Sequence, residues 1–95
     1  MAKEREEFLD NEYDAPHDGL ETQVAEIVAA VLDVDRVGRG DSFYDFAGTS
    51  LQAIRICARI EKTLAMRAEP VSLFDNDILA DFVAGLGSLS GTSGD

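Results

Sequence analysis

Apolar residues recur along the chain with a helical spacing, and charged or turn-forming stretches separate these regions. In three stretches, 20–32, 50–64 and 78–86, apolar side chains return every three or four positions, as one face of an α-helix requires. The chain shows neither the alternation typical of strands nor an internal repeat, so the pattern predicts an all-α fold. The apolar members are Leu20, Val24, Ile27, Val28, Val31 and Leu32, then Ala53, Ile56, Cys57, Ile60 and Leu64, and finally Ile78, Leu79, Phe82, Val83 and Leu86.

Local signals predict where the first two helices begin. Asp18 followed by Glu21 resembles a capping box, and Thr49 followed by Gln52 matches the pattern fully. The first helix should end near Leu32, where aspartates bring turn preference, and the second should run from 50 to 64.

The remaining segments complete a single domain at residues 15–86. A long loop from about 33 to 49 should be anchored in the core by Val34, Val37, Phe43 and Phe46, since long loops in compact domains are usually functional or anchored. Leu73 and Phe74 should form one short helical turn, and Asp75 or Asn76 should cap the last helix. Residues 1–14 are expected to be a flexible leader, and residues 87–95 a flexible tail.

Composition narrows the possible functions. A formal net charge of −11 in 95 residues disfavours nucleic acid and anionic membranes as partners, because both would repel the chain. The first residues lack the apolar core of a signal peptide, so a cytoplasmic location is expected. The single cysteine, Cys57, excludes an internal disulfide framework and falls on the buried side of the second helix.

Ser50 is the main candidate for chemistry. If Thr49 caps the second helix, Ser50 takes the first helical position with its hydroxyl free, and Gly48 removes bulk beside it. A helix start offers unpaired N–H groups and the positive end of the helix dipole, which favour a phosphate ester. Serine is, however, also common at helix starts merely as a cap.

The second helix carries a second apolar facet. Leu51, Ile54 and Ala58 lie away from the predicted core face, on the flank of Ser50. Exposed apolar patches often mark contact sites. Alternatively, Leu51 and Ile54 pack under the preceding loop.

A family resemblance joins these features. From Asp14 to Leu86 the chain resembles the phosphopantetheine-dependent carrier proteins, and in particular the peptidyl carrier protein, or thiolation domain, of nonribosomal peptide synthesis. That family has an aspartate and paired aromatics before a Gly-Gly-x-Ser-Leu motif, and this chain has Asp41-Ser42-Phe43-Tyr44-Asp45-Phe46-Ala47-Gly48-Thr49-Ser50-Leu51. Ala47 stands where the first glycine is usual, and Thr49 where His or Asp is usual.

The resemblance implies an acyl-carrier-like bundle of three main helices plus one short helical turn, with its modified serine at Ser50. A phosphopantetheine arm, transferred from coenzyme A, would hold an aminoacyl or peptidyl group as a thioester. The implied partners are a phosphopantetheinyl transferase, an adenylation enzyme and condensation or tailoring enzymes. The expected docking residues are Thr49, Leu51, Ile54, Arg55 and Ala58. The protein itself is expected to be a monomer without catalytic activity, and its ends suggest a free-standing carrier.

Other functions are less well supported. An acyl carrier of the fatty-acid or polyketide type and a helical interaction module without a prosthetic group stay open as alternatives. A serine hydrolase would need a nucleophile elbow, and the only histidine, His17, lies in a distant turn. The stretch from Asp33 begins like a calcium-binding loop, but Val37 and Tyr44 occupy positions that need oxygen ligands, so no metal site is expected.

Overall fold

The computed structural model describes residues 2–88, and these form a small helical bundle. The long helices are α1 and α2, and the short helices α3 and α4 follow them. Two 3₁₀ turns and a two-stranded antiparallel sheet complete the fold. The bounds are Gly19–Leu32 for α1, Ser50–Leu64 for α2, Pro70–Asp75 for α3, Leu79–Ala84 for α4, Met66–Arg67 for β1, Gly87–Ser88 for β2, and Arg5–Glu7 and Tyr44–Phe46 for the 3₁₀ turns. The predicted all-α class is confirmed, whereas the small sheet was not predicted.

Both predicted helix starts are present, with different cap geometries. At α2 the box closes in both directions, because the Gln52 amide donates to Thr49 Oγ1 at 3.2 Å and the Thr49 amide donates to Gln52 Oε1 at 2.9 Å. At α1 only one half forms, with the Glu21 amide donating to Asp18 Oδ1 at 2.8 Å. The Glu21 carboxylate instead accepts from the His17 amide and from Arg39.

The core lies where α1, α2 and α4 bring their apolar faces together. Val24, Ala53, Ile56 and Ile60 are fully buried, and Phe82 of α4 is nearly so. The four predicted loop anchors are also buried, so the long loop is packed onto the bundle along its length. Those anchors are Val34, Val37, Phe43 and Phe46. Within residues 2–88, none of the helices combines the length and hydrophobicity that crossing a membrane demands.

The last third of the chain differs from the prediction in two ways. The short helical turn is longer than expected and begins at Pro70, which suits the first position of a helix because its missing N–H would be unpaired there. Neither Asp75 nor Asn76 caps α4, whose N-cap is Ile78 without a side-chain bond. The intervening Asp77 bonds instead to the long loop, accepting from the Ser42 hydroxyl and from the Phe43 amide.

The segment expected to be a flexible leader packs on the domain. Lys3 forms a parallel bridge with Val34, Leu9 joins the core, and the Arg5 side chain is only 1% exposed. The charge of this segment suggested solvent exposure, but the Arg5 guanidinium is buried because it pairs with the Asp41 carboxylate. At the other end, Gly87 and Ser88 pair with β1, and the rest of the predicted tail lies outside the described residues.

Candidate functional site

Ser50 is exposed at the first position of α2. The Thr49 hydroxyl and the Gln52 carboxamide make the capping bonds, so the cap does not use the Ser50 hydroxyl. This geometry excludes the interpretation of Ser50 as the capping serine. The side chain is therefore available for reaction with a group that approaches from solvent.

The electrostatics of this helix start favour a bound anion. A 15-residue helix has unpaired N–H groups in its first turn and the positive end of the dipole at its beginning. No acidic residue lies in the first turn of α2 to oppose this field. A phosphate ester on the Ser50 oxygen would thus be in a stabilising position, so the site suits a phosphate-linked group.

The turn before Ser50 is held in an uncommon backbone conformation. Ala47 follows the 3₁₀ turn and has φ 59° and ψ 39°, in the left-handed region that glycine adopts most easily. A Cβ on Gly48 would come within 2.3 Å of the Phe43 ring. Gly48 is therefore needed so that the Phe43 ring can pack against the backbone, and its role is not only to leave space beside Ser50.

Apolar side chains are exposed on α2, on α3 and in the turn before α2. The hypothesis that Leu51 and Ile54 pack under the loop is wrong, because they are 56% and 52% exposed. Tyr44 is 50% exposed and Val71 of α3 is 55% exposed. Tyr44 and Val71 were not among the predicted docking residues, although Val71 precedes the buried Leu73 by two positions and so faces the opposite side of its helix.

The other predicted docking residues are also exposed. The N-cap residue Thr49 and the α2 residues Arg55 and Ala58 are all exposed. Arg59 and Lys62 extend the basic side of the helix. The ion pairs found among residues 2–88 involve other arginines, namely Arg5, Arg36 and Arg39. The helix thus offers its positive charges to solvent within an acidic protein.

Two ion pairs fasten the loop that leads to Ser50. Arg5 binds both oxygens of Asp41, at 2.5 Å from Nε and 2.7 Å from Nη2. Arg39 binds both oxygens of Glu21 at 2.9 Å, and this hydrogen bonding lowers the pKa of Glu21 to about 2. Both contacts join the loop to residues that precede it in the sequence, namely to the N-terminal segment and to α1.

Other reactive groups do not form a second site. Cys57 is buried, and burial raises the pKa of its thiol to about 11, which makes it unreactive. His17 is exposed in the turn before α1 and is bonded through its backbone to Glu21. Among the residues described, no three His, Cys, Asp or Glu side chains cluster as a metal site would require.

Comparison with known proteins finds a matching family, similar sequences and a solved structure with the same fold. A family model described as "Phosphopantetheine attachment site" matches residues 22–86. Malpinin synthetase of Mortierella alpina is 34% identical over 74 residues, which are 78% of this chain and 1% of that protein. Tyrocidine synthase 3 of Brevibacillus parabrevis is 33% identical over 69 residues, which are 73% of this chain and 1% of that protein.

The chain therefore spans a very small part of the length of these curated relatives. A solved structure described as a "Non Ribosomal PCP domain" has the same fold, with a TM-score of 0.73 and 22% identity. The similarity covers 80% of this chain and 97% of that one.

Proposed function

The chain belongs to the phosphopantetheine attachment-site family. We propose that it is a carrier domain of the peptidyl type and that the Ser50 hydroxyl is the attachment point of its covalently bound phosphopantetheine. The observation that supports this position is that the capping hydrogen bonds at the start of α2 do not involve the Ser50 hydroxyl. Thr49 and Gln52 close the cap, and Ser50 is left exposed with its oxygen free.

The residues around Ser50 each contribute to its modification. The Ser50 oxygen would form the new bond to phosphorus and give up its proton to the transferase, while the bond from that phosphorus to the nucleotide part of coenzyme A breaks and the nucleotide leaves. The first turn of α2 then stabilises the negative charge of the phosphodiester. Phe43 and Gly48 fix the turn that precedes the serine. When bound, the arm supplies a terminal thiol that carries the cargo as a thioester, while the protein supplies position.

The cargo and partners follow from the same assignment. We infer an aminoacyl or peptidyl cargo, a phosphopantetheinyl transferase that loads the arm, an adenylation enzyme that supplies the cargo and condensation or tailoring enzymes that consume it. These partners would contact Thr49, Leu51, Ile54, Arg55 and Ala58 beside the attachment point. The domain would act as a monomer in the cytoplasm and contribute no catalytic group of its own, because the reactive thiol belongs to the arm.

Intact mass tests the attachment point. Wild-type protein incubated with coenzyme A and a transferase of broad specificity should gain one phosphopantetheine. Ser50→Ala should gain none. Ser72→Ala, which removes a hydroxyl from α3, is the matched control and should gain one. An unmodified wild type in the presence of an active transferase, or a modified Ser50→Ala, would contradict the proposal.

A further inference from the structure

The N-terminal segment contacts the loop before Ser50 through the buried side chain of Arg5. We call residues 3–9 the strap. Within it, the Arg5 guanidinium makes a two-pronged contact with Asp41, and its Nη2 also donates to the Glu12 carbonyl at 3.2 Å. The Arg5 amide donates to Asp35 Oδ1 at 2.8 Å. Hydrogen bonding to Asp41 also raises the pKa of Arg5, so this side chain is charged at any working pH.

Asp41 passes this contact to the rest of the loop. It is almost fully buried, and its Oδ2 accepts from the Gly38 amide at 2.7 Å. Its carbonyl accepts from the Leu79 amide at 3.0 Å, which joins the loop to α4. Asp41 therefore links three parts of the molecule: Gly38 within the loop, Leu79 at the start of α4 and Arg5 in the strap.

A second contact reaches closer to Ser50. The ring of Phe8 in the strap lies 5.6 Å from the ring of Phe46, measured between centroids. Phe46 directly precedes Ala47, whose left-handed backbone turns the chain towards Gly48. The strap thus holds the loop at two points, Asp41 and Phe46, which precede and follow Phe43 in the sequence, and the Phe43 ring packs on Gly48.

We propose that the strap is a positioning element for Ser50 and that Arg5 is its positioning residue, which acts through Asp41 on the conformation of residues 38–48. This inference rests on the proposed attachment at Ser50. The helices α1, α2 and α4 pack through their own apolar faces. In the strap, Leu9 packs in the core, whereas the Arg5 side chain and the Phe8 ring contact Asp41 and Phe46 of the loop. Release of the strap should therefore loosen the loop more than the bundle.

The test uses the full chain and removes the pair without leaving a buried charge. Arg5→Met alone would strand the Asp41 carboxylate, and a buried charge without its partner is strongly destabilising. The double variant Arg5→Met/Asp41→Asn removes both charges and keeps an oxygen for the Gly38 amide. Arg5→Lys keeps the charge but loses the two-pronged geometry. Each protein is loaded with coenzyme A and transferase at a temperature where it is fully folded, and kcat and KM are measured together with amide hydrogen exchange.

The expected result is a graded loss confined to the loop. Because small misplacements of a reacting group reduce rates strongly, kcat/KM for loading should fall roughly ten- to a hundredfold in the double variant and less in Arg5→Lys. Exchange should rise at residues 38–48 and stay near the wild-type rate at residues 53–60. Arg36→Met is the control, because Arg36 binds the strap residue Glu6 and the Tyr13 ring but is itself exposed. It should load at nearly the wild-type rate, as surface pairs contribute little.

Two results would overturn the inference. One is a double variant that loads like the wild type, and the other is exchange that rises equally in the loop and in α2, which would indicate general destabilisation. Failure of the proposed function looks different, since wild-type protein would then take no arm or Ser50→Ala would take one.

Discussion

Helix α2 has isoleucines on both of its sides, and their surroundings differ completely. Ile56 and Ile60 have no exposed surface and pack against the rest of the bundle, whereas more than half of Ile54 faces solvent. The two reactive side chains follow the same division. Cys57 lies on the inward face with the core, and Ser50 begins the outward face.

This contrast indicates that the two faces of α2 have different roles, one in folding and the other in the proposed function. A buried isoleucine stabilises the fold by about 1.5–3 kcal/mol through the apolar surface it removes from water. An exposed isoleucine contributes little of this, so Ile54 is available for the partner contact proposed beside Ser50. The inward face therefore fixes the helix, and the outward face is exposed and free for the partner contacts proposed for it.

The largest contrast should appear in the labelling rates of two thiols, that of Cys57 and that of the phosphopantetheine arm. At pH 8 the Cys57 thiol, with its pKa raised to about 11, should react on the order of a hundredfold more slowly than an ordinary thiol, because the thiolate is the nucleophile. Iodoacetamide should then leave the unmodified protein unlabelled and label the loaded protein once, on the arm. Mass spectrometry of both forms measures this directly. Rapid labelling of Cys57 in the folded unmodified protein would contradict its buried position on the inward face of α2.

A matched pair of alanine variants compares the two faces in stability. Ile56→Ala should lower the free energy of unfolding by about 2–5 kcal/mol, since it removes buried atoms and leaves a cavity. Ile54→Ala makes the same chemical change on the outward face and should cost less than about 0.5 kcal/mol. Denaturant titration gives both values under identical conditions. Similar losses in the two variants would mean that Ile54 belongs to the core.

Sequence alone could predict the helices because their signals are local. The Thr49 and Gln52 pair fixed the start of α2, and the periodicity separated Ile56 from Ile54 as members of two facets. It could not decide whether the Ile54 facet was covered by the loop. The function proposed for Ser50 needed the family resemblance as well, because a free hydroxyl at a helix start has several uses.

Other features depend on distant partners and leave no local signal. Arg5 and Asp41 are 36 residues apart, and each has the appearance of a solvated charge in its own segment. Asp77 directly precedes Ile78, the N-cap of α4, but it does not cap the helix. It accepts hydrogen bonds from Ser42 and Phe43 of the loop instead. Long-range pairing therefore determined both the position of the strap and the start of the last helix.

A charge on the outward face should impair the partners without harming the fold. Ile54→Asp should lower kcat/KM for loading of the arm, or for transfer of the cargo to it, by about tenfold or more, because a charge buried without a partner in the proposed contact is costly. Its unfolding midpoint should stay near that of the wild type. Gln23→Asp adds the same charge to an exposed position of α1 and should leave loading nearly unchanged. An equal effect of both variants would point to net charge rather than to contact at Ile54.

The smallest expected effect concerns the residues that flank α2. Ala47 and Ala65 both adopt the left-handed conformation, with φ 59° and 54°, which strains any residue with a Cβ. Glycine at either position relieves that strain but gains freedom in the unfolded chain, so Ala47→Gly and Ala65→Gly should each stabilise by about 0.5–1 kcal/mol. Denaturant midpoints of the single and double variants should show additive gains, because the two positions lie at opposite ends of the helix. A gain at Ala65 with none at Ala47 would contradict a left-handed turn before Ser50, and with it the backbone path that leads to the outward face.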